Sequence, residues 1–282
     1  MNVLSIGEVL WDQFPDYKVW GGAPANFAFQ AAQCGANATI FTAIGNDKLG
    51  DEIEKAVLDC GINLHAQKVA YPTGRVDITL DSAGAAEYTF NDNCAWDHIP
   101  FNDTLKQLSE QADLISFGSL AQRGAQSQSS IMQALSARKA SAKVLFDINL
   151  RQQFYTKEII ESSLKHADFL KLNEIEIEVI TGMFDCDLKQ LLKMFSLELI
   201  IFTCGSEGSQ IITHDQQYDC PASPCKVVDT VGAGDAFTAF FIYNYLNGVA
   251  INKAQAIASA AGAYVCEHSG ATVNIPNELL GK

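Results

Sequence analysis

The chain has 282 residues, of which 48% are hydrophobic, which is enough for one α/β domain spanning residues 1–282 with a large core. Its formal net charge of −14 argues against nucleic-acid partners, because affinity for nucleic acid depends mainly on Lys and Arg at phosphates. No apolar run approaches the roughly 18 residues of a membrane helix, and the first ten residues lack a signal-peptide pattern. We therefore expect a soluble cytoplasmic protein.

Short apolar segments rich in β-branched residues recur along the chain, and helical patterns lie between several of them. The predicted strands are Val3 to Ile6, Ala38 to Ala43, Leu114 to Phe117, Val144 to Asp147, Phe169 to Leu172 and Leu199 to Thr203. This alternation predicts an α/β fold whose mostly parallel sheet has helices on both faces. Ligands of such sheets bind beyond the carboxyl ends of the strands, so we expect the chemistry just after them.

One region departs from this alternation. Residues 74–90 alternate in polarity around a turn signal at Asp81 to Gly84, which predicts a hairpin. We expect about residues 8–20 and 70–100 to form a small antiparallel sheet that projects from the domain as a lid over a ligand. Packing of these residues against the main domain is the alternative.

Near the N-terminus, a glycine pair precedes a predicted helix. The segment Gly21 to Asn26 leads into a helix that ends near Gly35, and Pro24 suits its first turn. The Asn26 amide can both donate hydrogen bonds to sugar hydroxyls and accept them, and the Asp12 carboxylate can accept two more. Read alone, these residues are more typical of a turn carboxylate and a polar helix start.

Three later segments place polar residues directly after predicted strands. Asp147 to Arg151 alternates, so Asp147 and Arg151 can point toward one side of a cleft, although an exposed ion pair would explain Arg151 equally well. Read alone, Asn173 to Glu176 is only a helix start, and Thr203 to Gly208 is only a turn.

The most informative segment is Asp229 to Phe237, a glycine loop followed by an apolar helical run. Gly232 and Gly234 let the backbone approach a ligand, and the free N–H groups at the helix start suit a phosphate. A carboxylate beside a phosphate is unfavourable unless it has a role, and Asp235 can accept a proton from an attacking hydroxyl group. A simple helix N-cap is the alternative for Asp235.

Here the sequence resembles the ribokinase-like sugar kinases of the PfkB family, whose signature DTxGAGDxF is met at every specified position. The other segments, and Gly45 to Gly50, match the family in the expected order, so the resemblance covers nearly the whole chain. It implies a ribokinase-like three-layer α/β/α domain with a mostly parallel central sheet and a small β-sheet lid. It also implies ATP-dependent phosphorylation of a sugar hydroxyl group, with Mg²⁺.

The resemblance implies a role for each matching residue. The main chain of Gly232, Ala233 and Gly234 would stabilise the transferring phosphoryl group, and Asp235 would be the general base. The implied sugar-binding residues are Asp12, Gly22, Asn26, Arg75, Phe90, Asp147 and Arg151. The implied ATP-binding residues are Asn173, Thr203, Gly205, Gly208, Gly234 and Ser259. Glu176 would hold Mg²⁺ through water. Many relatives also bind a monovalent cation, and for K⁺ the implied ligands are Asp229, Val231 and Gly270.

The choice of sugar depends on a single feature. A proline after Gly22-Ala23 is typical of the fructokinase branch, whereas ribokinases usually have a lysine-glycine pair there, so we expect D-fructose. Ribose, another ketohexose and 2-keto-3-deoxygluconate stay open. A catalytically silent regulator that binds sugar or nucleotide is a different class of function. It predicts damage to Asp235, Gly232 or Gly234, and all three are intact.

We also predict a homodimer through the lid. Strand alternation places one set of side chains on each face of the thin sheet, so one face closes over the sugar and the other needs a partner. We expect the surface around Val76, Ile78, Tyr88 and Phe90 to pair with its copy, since self-complementary dimers are the commonest homo-oligomers. A monomer with a polar outer face is the alternative.

Overall fold

A computed structural model describes residues 1–80 and 86–279, so the turn predicted at Asp81 to Gly84 lies outside the described residues. The strands are β1 Asn2–Ile6, β2 Leu10–Gln13, β3 Lys18–Gly21, β4 Asn37–Gly45, β5 Asn63–Val69, β6 Arg75–Leu80, β7 Ala86–Phe90, β8 Leu114–Gly118, β9 Lys143–Asp147, β10 Phe169–Asn173, β11 Leu199–Thr203, β12 Ser209–Thr213 and β13 Gln217–Cys220. The α-helices are α1 Ala23–Cys34, α2 Lys48–Asp59, α3 Asp103–Gln111, α4 Ala125–Ala137, α5 Lys157–Leu164, α6 Glu174–Phe184, α7 Leu188–Met194, α8 Ala233–Leu246 and α9 Ile251–Cys266. No helix in the described ranges has both the length and the apolar character needed to cross a lipid bilayer.

The main sheet has nine strands in the order β13-β12-β11-β10-β9-β8-β1-β4-β5. The strands from β5 to β11 in this order run parallel, and β12 and β13 are antiparallel additions at one edge. All six predicted strands are confirmed. Strand β5 was not predicted, because its sequence Asn-Leu-His-Ala-Gln-Lys-Val is half-exposed at the sheet edge and lacks an apolar run.

Helices cover both faces of this sheet. Alternate residues of one strand face opposite sides, so Val3 packs in the core beneath α1, α8 and α9, whereas its neighbour Leu4 packs in the core beneath α3, α4 and α5. Residues 236–242 of α8 are buried throughout, so this helix runs through the interior. The three-layer arrangement fixes the start of α8 at the carboxyl edge of the parallel strands.

The small sheet has the order β3-β2-β6-β7. Its β2–β3 and β6–β7 pairs are antiparallel, as predicted, but the central β2–β6 pair is parallel. The predicted small antiparallel sheet is therefore confirmed, and the parallel central pair is an addition to it, because β2 and β6 are far apart in sequence and no hairpin sets their direction. Trp11 ties this sheet to α2 through a 3.0 Å hydrogen bond from its Nε1 to the Leu49 carbonyl oxygen.

The register of the small sheet changes the predicted dimer surface. Val76, Ile78 and Tyr88 share one face with Leu10, and Val76 and Ile78 are only 2% and 6% exposed because they pack on Leu10 within this chain. The assignment of these two residues to a subunit contact was therefore wrong. Tyr88 is 49% exposed, and the homodimer itself stays a prediction.

Candidate active site

The glycine loop at the start of α8 forms a cradle of backbone N–H groups. Gly232 caps the helix with a φ of +79°, and a Cβ there would lie 2.3 Å from the Ala271 Cβ, so only glycine fits. The N–H groups of Gly234 and Asp235 have no backbone acceptor among the described residues. Such groups carry partial positive charge at a helix start, so the cradle suits an anion.

Asp235 lies in the first turn of α8, where the two ends of the chain meet. Its Oδ2 accepts a 2.9 Å hydrogen bond from Asn26 Nδ2. Burial, reinforced by the nearby Asp147 carboxylate, raises the pKa of Asp235 to about 6. The group is therefore mainly ionised at neutral pH and has the affinity for a proton that a general base requires.

A buried lysine lies beside this carboxylate, and the sequence analysis did not identify it. Lys171 in β10 is 6% exposed, and its Nζ lies 3.2 Å from Oδ1 of Asp147 at the end of β9. Burial alone would lower the pKa of Lys171, but the surrounding carboxylates, led by Asp147, hold it above its usual value. A Cβ on Gly234 would lie 3.8 Å from this ammonium group, so the glycine brings the cradle close to a fixed positive charge. The available signal was a lysine in an otherwise apolar strand.

Glu8 is a second residue that the sequence analysis missed. It follows β1 and is 1% exposed, and its Oε2 has no hydrogen-bond partner among the described residues. Burial raises the pKa of Glu8 to about 7. The available signal was its position directly after a predicted strand, where polar residues of parallel sheets form sites.

The N-terminal glycine pair makes room for the carboxyl groups beside it. Gly22 has a φ of +111°, and a Cβ there would lie 2.4 Å from the Glu8 carbonyl oxygen. A Cβ on Gly21 would lie 2.7 Å from Asp12 Oδ2. Burial raises the pKa of Asp12 to about 6, and the buried Oδ1 of Asn26 has no partner. These acceptor oxygens can receive hydrogen bonds from hydroxyl groups of a ligand.

Arg151 is an exposed cation near these carboxyl groups. Its positive charge lowers the pKa values of Glu8, Asp12 and Asp235 against the effect of burial, which places it within electrostatic range of all three. Among the described residues, its guanidinium group donates one hydrogen bond, from Nη1 to the carbonyl oxygen of Leu150. The guanidinium group is thus available to a ligand.

Two predicted sugar residues on the small sheet lie on opposite faces. Phe90 pairs with Val76, which pairs with Asp12, so Phe90 shares the face of Asp12. Arg75 pairs with Trp11, on the other face, and its guanidinium group binds Asp77, with Nε 2.9 Å from Oδ1. The structure does not bring Arg75 to the cluster, because the β2–β6 register turns it away.

The predicted magnesium residues form the start of α6. Asn173 caps the helix, and its Oδ1 accepts hydrogen bonds from the Ile175 and Glu176 N–H groups. Glu176 is 2% exposed and accepts backbone N–H groups from Asn173 and from Leu150, at 2.8 and 3.0 Å. Asn173 and Glu176 thus form a capping box at the start of α6. The bond from Leu150 to Glu176 also holds the loop that carries Arg151.

The predicted nucleotide loop follows β11. Thr203 ends the strand, and Gly205 and Gly208 have φ values of +47° and +110°. A Cβ on Gly208 would lie 2.1 Å from the Cys220 carbonyl oxygen, so this turn requires glycine. Ser259 does not join these residues, since its buried Oγ accepts the Ser223 N–H at 2.9 Å and so fixes another loop.

The residues predicted to bind K⁺ are held together by hydrogen bonds. Asp229 accepts the Val231 N–H on Oδ1 at 3.0 Å and the Gly270 N–H on Oδ2 at 2.9 Å. The carboxylate thus joins the glycine loop to the segment after α9. Within the described ranges, no three His, Cys, Asp or Glu side chains are arranged to hold a metal ion by themselves.

The sequence profile described as "pfkB family carbohydrate kinase" matches residues 15–278. The chain belongs to this family. The match covers strands β3, β6 and β7 of the small sheet, the glycine loop of α8 and every predicted site residue except Asp12.

Curated members of the family align with this carbohydrate kinase over nearly its whole length. An ATP-dependent 6-phosphofructokinase of Thermoanaerobacterium thermosaccharolyticum is 29% identical over 296 residues, covering 98% of this chain and 91% of the relative. Fructokinase-2 of Oryza sativa subsp. japonica is 29% identical over 321 residues, covering 99% of this chain and 94% of the relative. Family membership is therefore shared by proteins that act on different acceptors.

A solved structure confirms the fold of this family member. An uncharacterized sugar kinase of Pyrococcus horikoshii in complex with ATP superposes with a TM-score of 0.88 at 26% identity, covering 99% of this chain and 97% of the other. The predicted ribokinase-like fold is thus confirmed, with its mostly parallel central sheet, flanking helices and small separate sheet.

Proposed function

We propose that this carbohydrate kinase transfers the γ-phosphoryl group of ATP to a hydroxyl group of an uncharged sugar, with D-fructose as the best assignment. The observation that carries the proposal is the 2.9 Å hydrogen bond between Asn26 and Asp235. It brings the N-terminal glycine and asparagine segment against the start of the phosphate cradle, so a sugar hydroxyl group and a phosphoryl group can meet there. The rice fructokinase and the ATP-bound kinase of Pyrococcus horikoshii support the choice of substrates.

In the proposed reaction, each group near the cradle has a separate task. The Asp235 carboxylate accepts the proton of the attacking hydroxyl group. The N–H groups of Gly234 and Asp235, together with the Lys171 ammonium group, stabilise the negative charge of the transferring phosphoryl group. Asp12 and Asn26 orient the sugar.

The residues present fit a magnesium ion that is bound mainly through phosphate oxygens and water. Glu176 keeps lone pairs for water-mediated contact beyond its two backbone hydrogen bonds, and Mg²⁺ in phosphate sites typically needs only one or two carboxylates. When bound, the ion would neutralise charge on the triphosphate. We expect turnover to stop when a chelator removes Mg²⁺ from the assay.

The charges near the sugar support an uncharged substrate. The carboxyl groups near the cleft outnumber the cations Lys171 and Arg151: they belong to Glu8, Asp12, Asp147, Glu176 and Asp235. An added phosphate or carboxylate on the sugar would meet like charges, which disfavours fructose 6-phosphate and 2-keto-3-deoxygluconate. Ribose and another ketohexose are the uncharged alternatives that stay open.

A coupled ADP-release assay tests this proposal. The panel contains fructose, ribose, 2-keto-3-deoxygluconate and fructose 6-phosphate, and we expect the highest kcat/KM with fructose. Higher kcat/KM with fructose 6-phosphate would contradict the charge argument. No ADP release with any sugar would favour the silent regulator instead.

We further propose a monovalent cation site at the junction formed by Asp229. The carbonyl oxygen of Val231 and the loop at Gly270 lie at this junction, beside the cradle that the cation would support. We expect K⁺ to raise kcat severalfold over Na⁺ at equal ionic strength. Equal rates in the two salts would count against the site.

A further inference from the structure

Glu8 combines burial with an unsatisfied acceptor. Its side chain is 1% exposed, and its Oε2 has no hydrogen-bond partner within residues 1–80 and 86–279. Buried polar atoms are almost always hydrogen-bonded, and an unpaired buried carboxyl oxygen is costly. Glu8 forms no ion pair with any described residue. The Glu8 carboxyl group therefore stabilises the folded chain less than a buried carboxylate whose oxygens all accept hydrogen bonds.

The position of Glu8 directs it to the sugar side of the cleft. Its Cγ would lie 3.4 Å from a Cβ on Gly22, and the Gly22 carbonyl oxygen accepts the Asn26 N–H in the first turn of α1. Three charged groups interact electrostatically with Glu8. Arg151 lowers the pKa of Glu8, and Asp235 and Asp147 raise it. Glu8 thus lies among the residues proposed to bind the sugar.

We propose that the Glu8 carboxyl group binds a hydroxyl group of the sugar, beside Asp12 and Asn26, and that it helps to select uncharged sugars. The inference rests on the proposed function. Glu8 Oε2 and Asn26 Oδ1 are both buried acceptors without a donor. Two neighbouring sugar hydroxyl groups supply two donors, whereas an ionised phosphate or carboxylate supplies none.

Calorimetric titration of fructose and of a non-hydrolysable ATP analogue tests this role. We expect Glu8→Ala to weaken fructose binding by about 10- to 100-fold, since it removes an acceptor from a buried hydrogen bond. Affinity for the ATP analogue should stay unchanged. Glu8→Gln keeps the shape and one acceptor, so its affinity for fructose should stay within about threefold of the original protein.

Thr42→Val is the matched control, because Thr42 Oγ1 is also buried without a partner but belongs to β4. It should leave fructose affinity unchanged. Unchanged fructose affinity in Glu8→Ala, or equal loss of fructose and ATP-analogue binding, would overturn the inference. An unmodified protein that binds no sugar of the panel would instead overturn the proposed function.

Glu8→Asp gives a second test if Glu8→Ala does not fold. It keeps the carboxyl group but withdraws it from the sugar by one methylene group, so fructose affinity should fall severalfold while affinity for the ATP analogue stays unchanged. A purely structural Glu8 would not weaken fructose binding selectively. Fructose affinity in Glu8→Asp equal to that of the original protein would also overturn the inference.

Discussion

Two groups of buried charges in this protein differ in how completely they are satisfied. The first is the pair of Asp97 and Arg123, whose side chains are 7% and 9% exposed. Arg123 donates to both Asp97 oxygens, at 2.7 and 3.0 Å, and its guanidinium group lies over the rings of Trp96 and Phe154. Asp97 also accepts the Cys94 N–H at 3.0 Å. The carboxylate of this pair is satisfied within the protein.

The second group lies at the cleft, and its carboxyl groups are incompletely satisfied. Burial raises the pKa values of Glu8, Asp12 and Asp235, and Glu8 Oε2 has no partner in the part of the chain that the structure describes. In the same part of the chain, Asp147 is the one carboxyl group of this set with an ion-pair partner, Lys171. Perturbed and unpaired charges of this kind mark sites that are organised for a ligand rather than for stability. We therefore predict that substitutions at the cleft affect function and that substitutions at Asp97 and Arg123 affect folding.

The largest effect is expected for Asp235→Asn. Loss of a general base typically lowers kcat by about two to four decades, while binding of sugar and nucleotide should persist. Single-turnover kinetics and titration calorimetry separate the two. Asp103→Asn, in the first turn of α3, is the matched control and should be fully active. Turnover within tenfold of the original protein would reject Asp235 as the base.

Breaking the pair of Asp97 and Arg123 should act on stability. Arg123→Leu leaves Asp97 buried without its partner, which typically costs about 3 to 5 kcal/mol. Chemical denaturation should reveal this loss, whereas the folded fraction at low temperature should keep its KM for sugar. Lys106→Leu removes an exposed i,i+4 pair and should change stability by less than about 0.5 kcal/mol. An Arg123→Leu variant that kept its stability but lost turnover would contradict the assignment of this pair to folding.

Asp12→Ala and Asn26→Ala should mainly weaken sugar binding. Each leaves a sugar hydroxyl group without a partner, at about 1 to 3 kcal/mol. Titration with fructose measures the effect, and Asp16→Ala in the exposed turn after β2 is the control. Unchanged sugar affinity in both variants would place the pocket elsewhere.

Acidification should separate activity from stability. Protonation of Asp235, whose pKa is about 6 in the free protein, should lower kcat/KM about tenfold per pH unit below that value. Stability should change in the opposite direction. A carboxyl group with a raised pKa contributes stability at low pH that is lost as pH rises through its folded pKa, so Asp235 alone should make the free energy of unfolding about 1 kcal/mol larger at pH 5 than at pH 7. Glu8 and Asp12, whose pKa values are also raised, should add to this difference. Parallel loss of activity and stability between pH 7 and pH 5 would contradict this.

Sequence reasoning was reliable where one local pattern determines the structure. Apolar runs gave the central strands, and the glycine loop gave the start of α8 with Asp235. Sequence reasoning was less reliable where the register between strands determines which side chains meet. Alternation places Arg75 and Val76 on opposite faces but does not say which face covers the cleft. Lys171 and Glu8 were missed because their importance comes from neighbouring strands and helices, not from adjacent residues.

The hydrogen bond between Asn26 and Asp235 has a consequence for the order of folding. It joins residues 209 positions apart in the sequence, and contacts of such long separation form slowly, because the entropy of closing the long loop between them must be lost first. A chain still being synthesised has no catalytic centre until α8 has been made and packed on α1. Recovery of activity during refolding should therefore follow recovery of helical structure with a delay, and this delay reports the final assembly of the sheet layers.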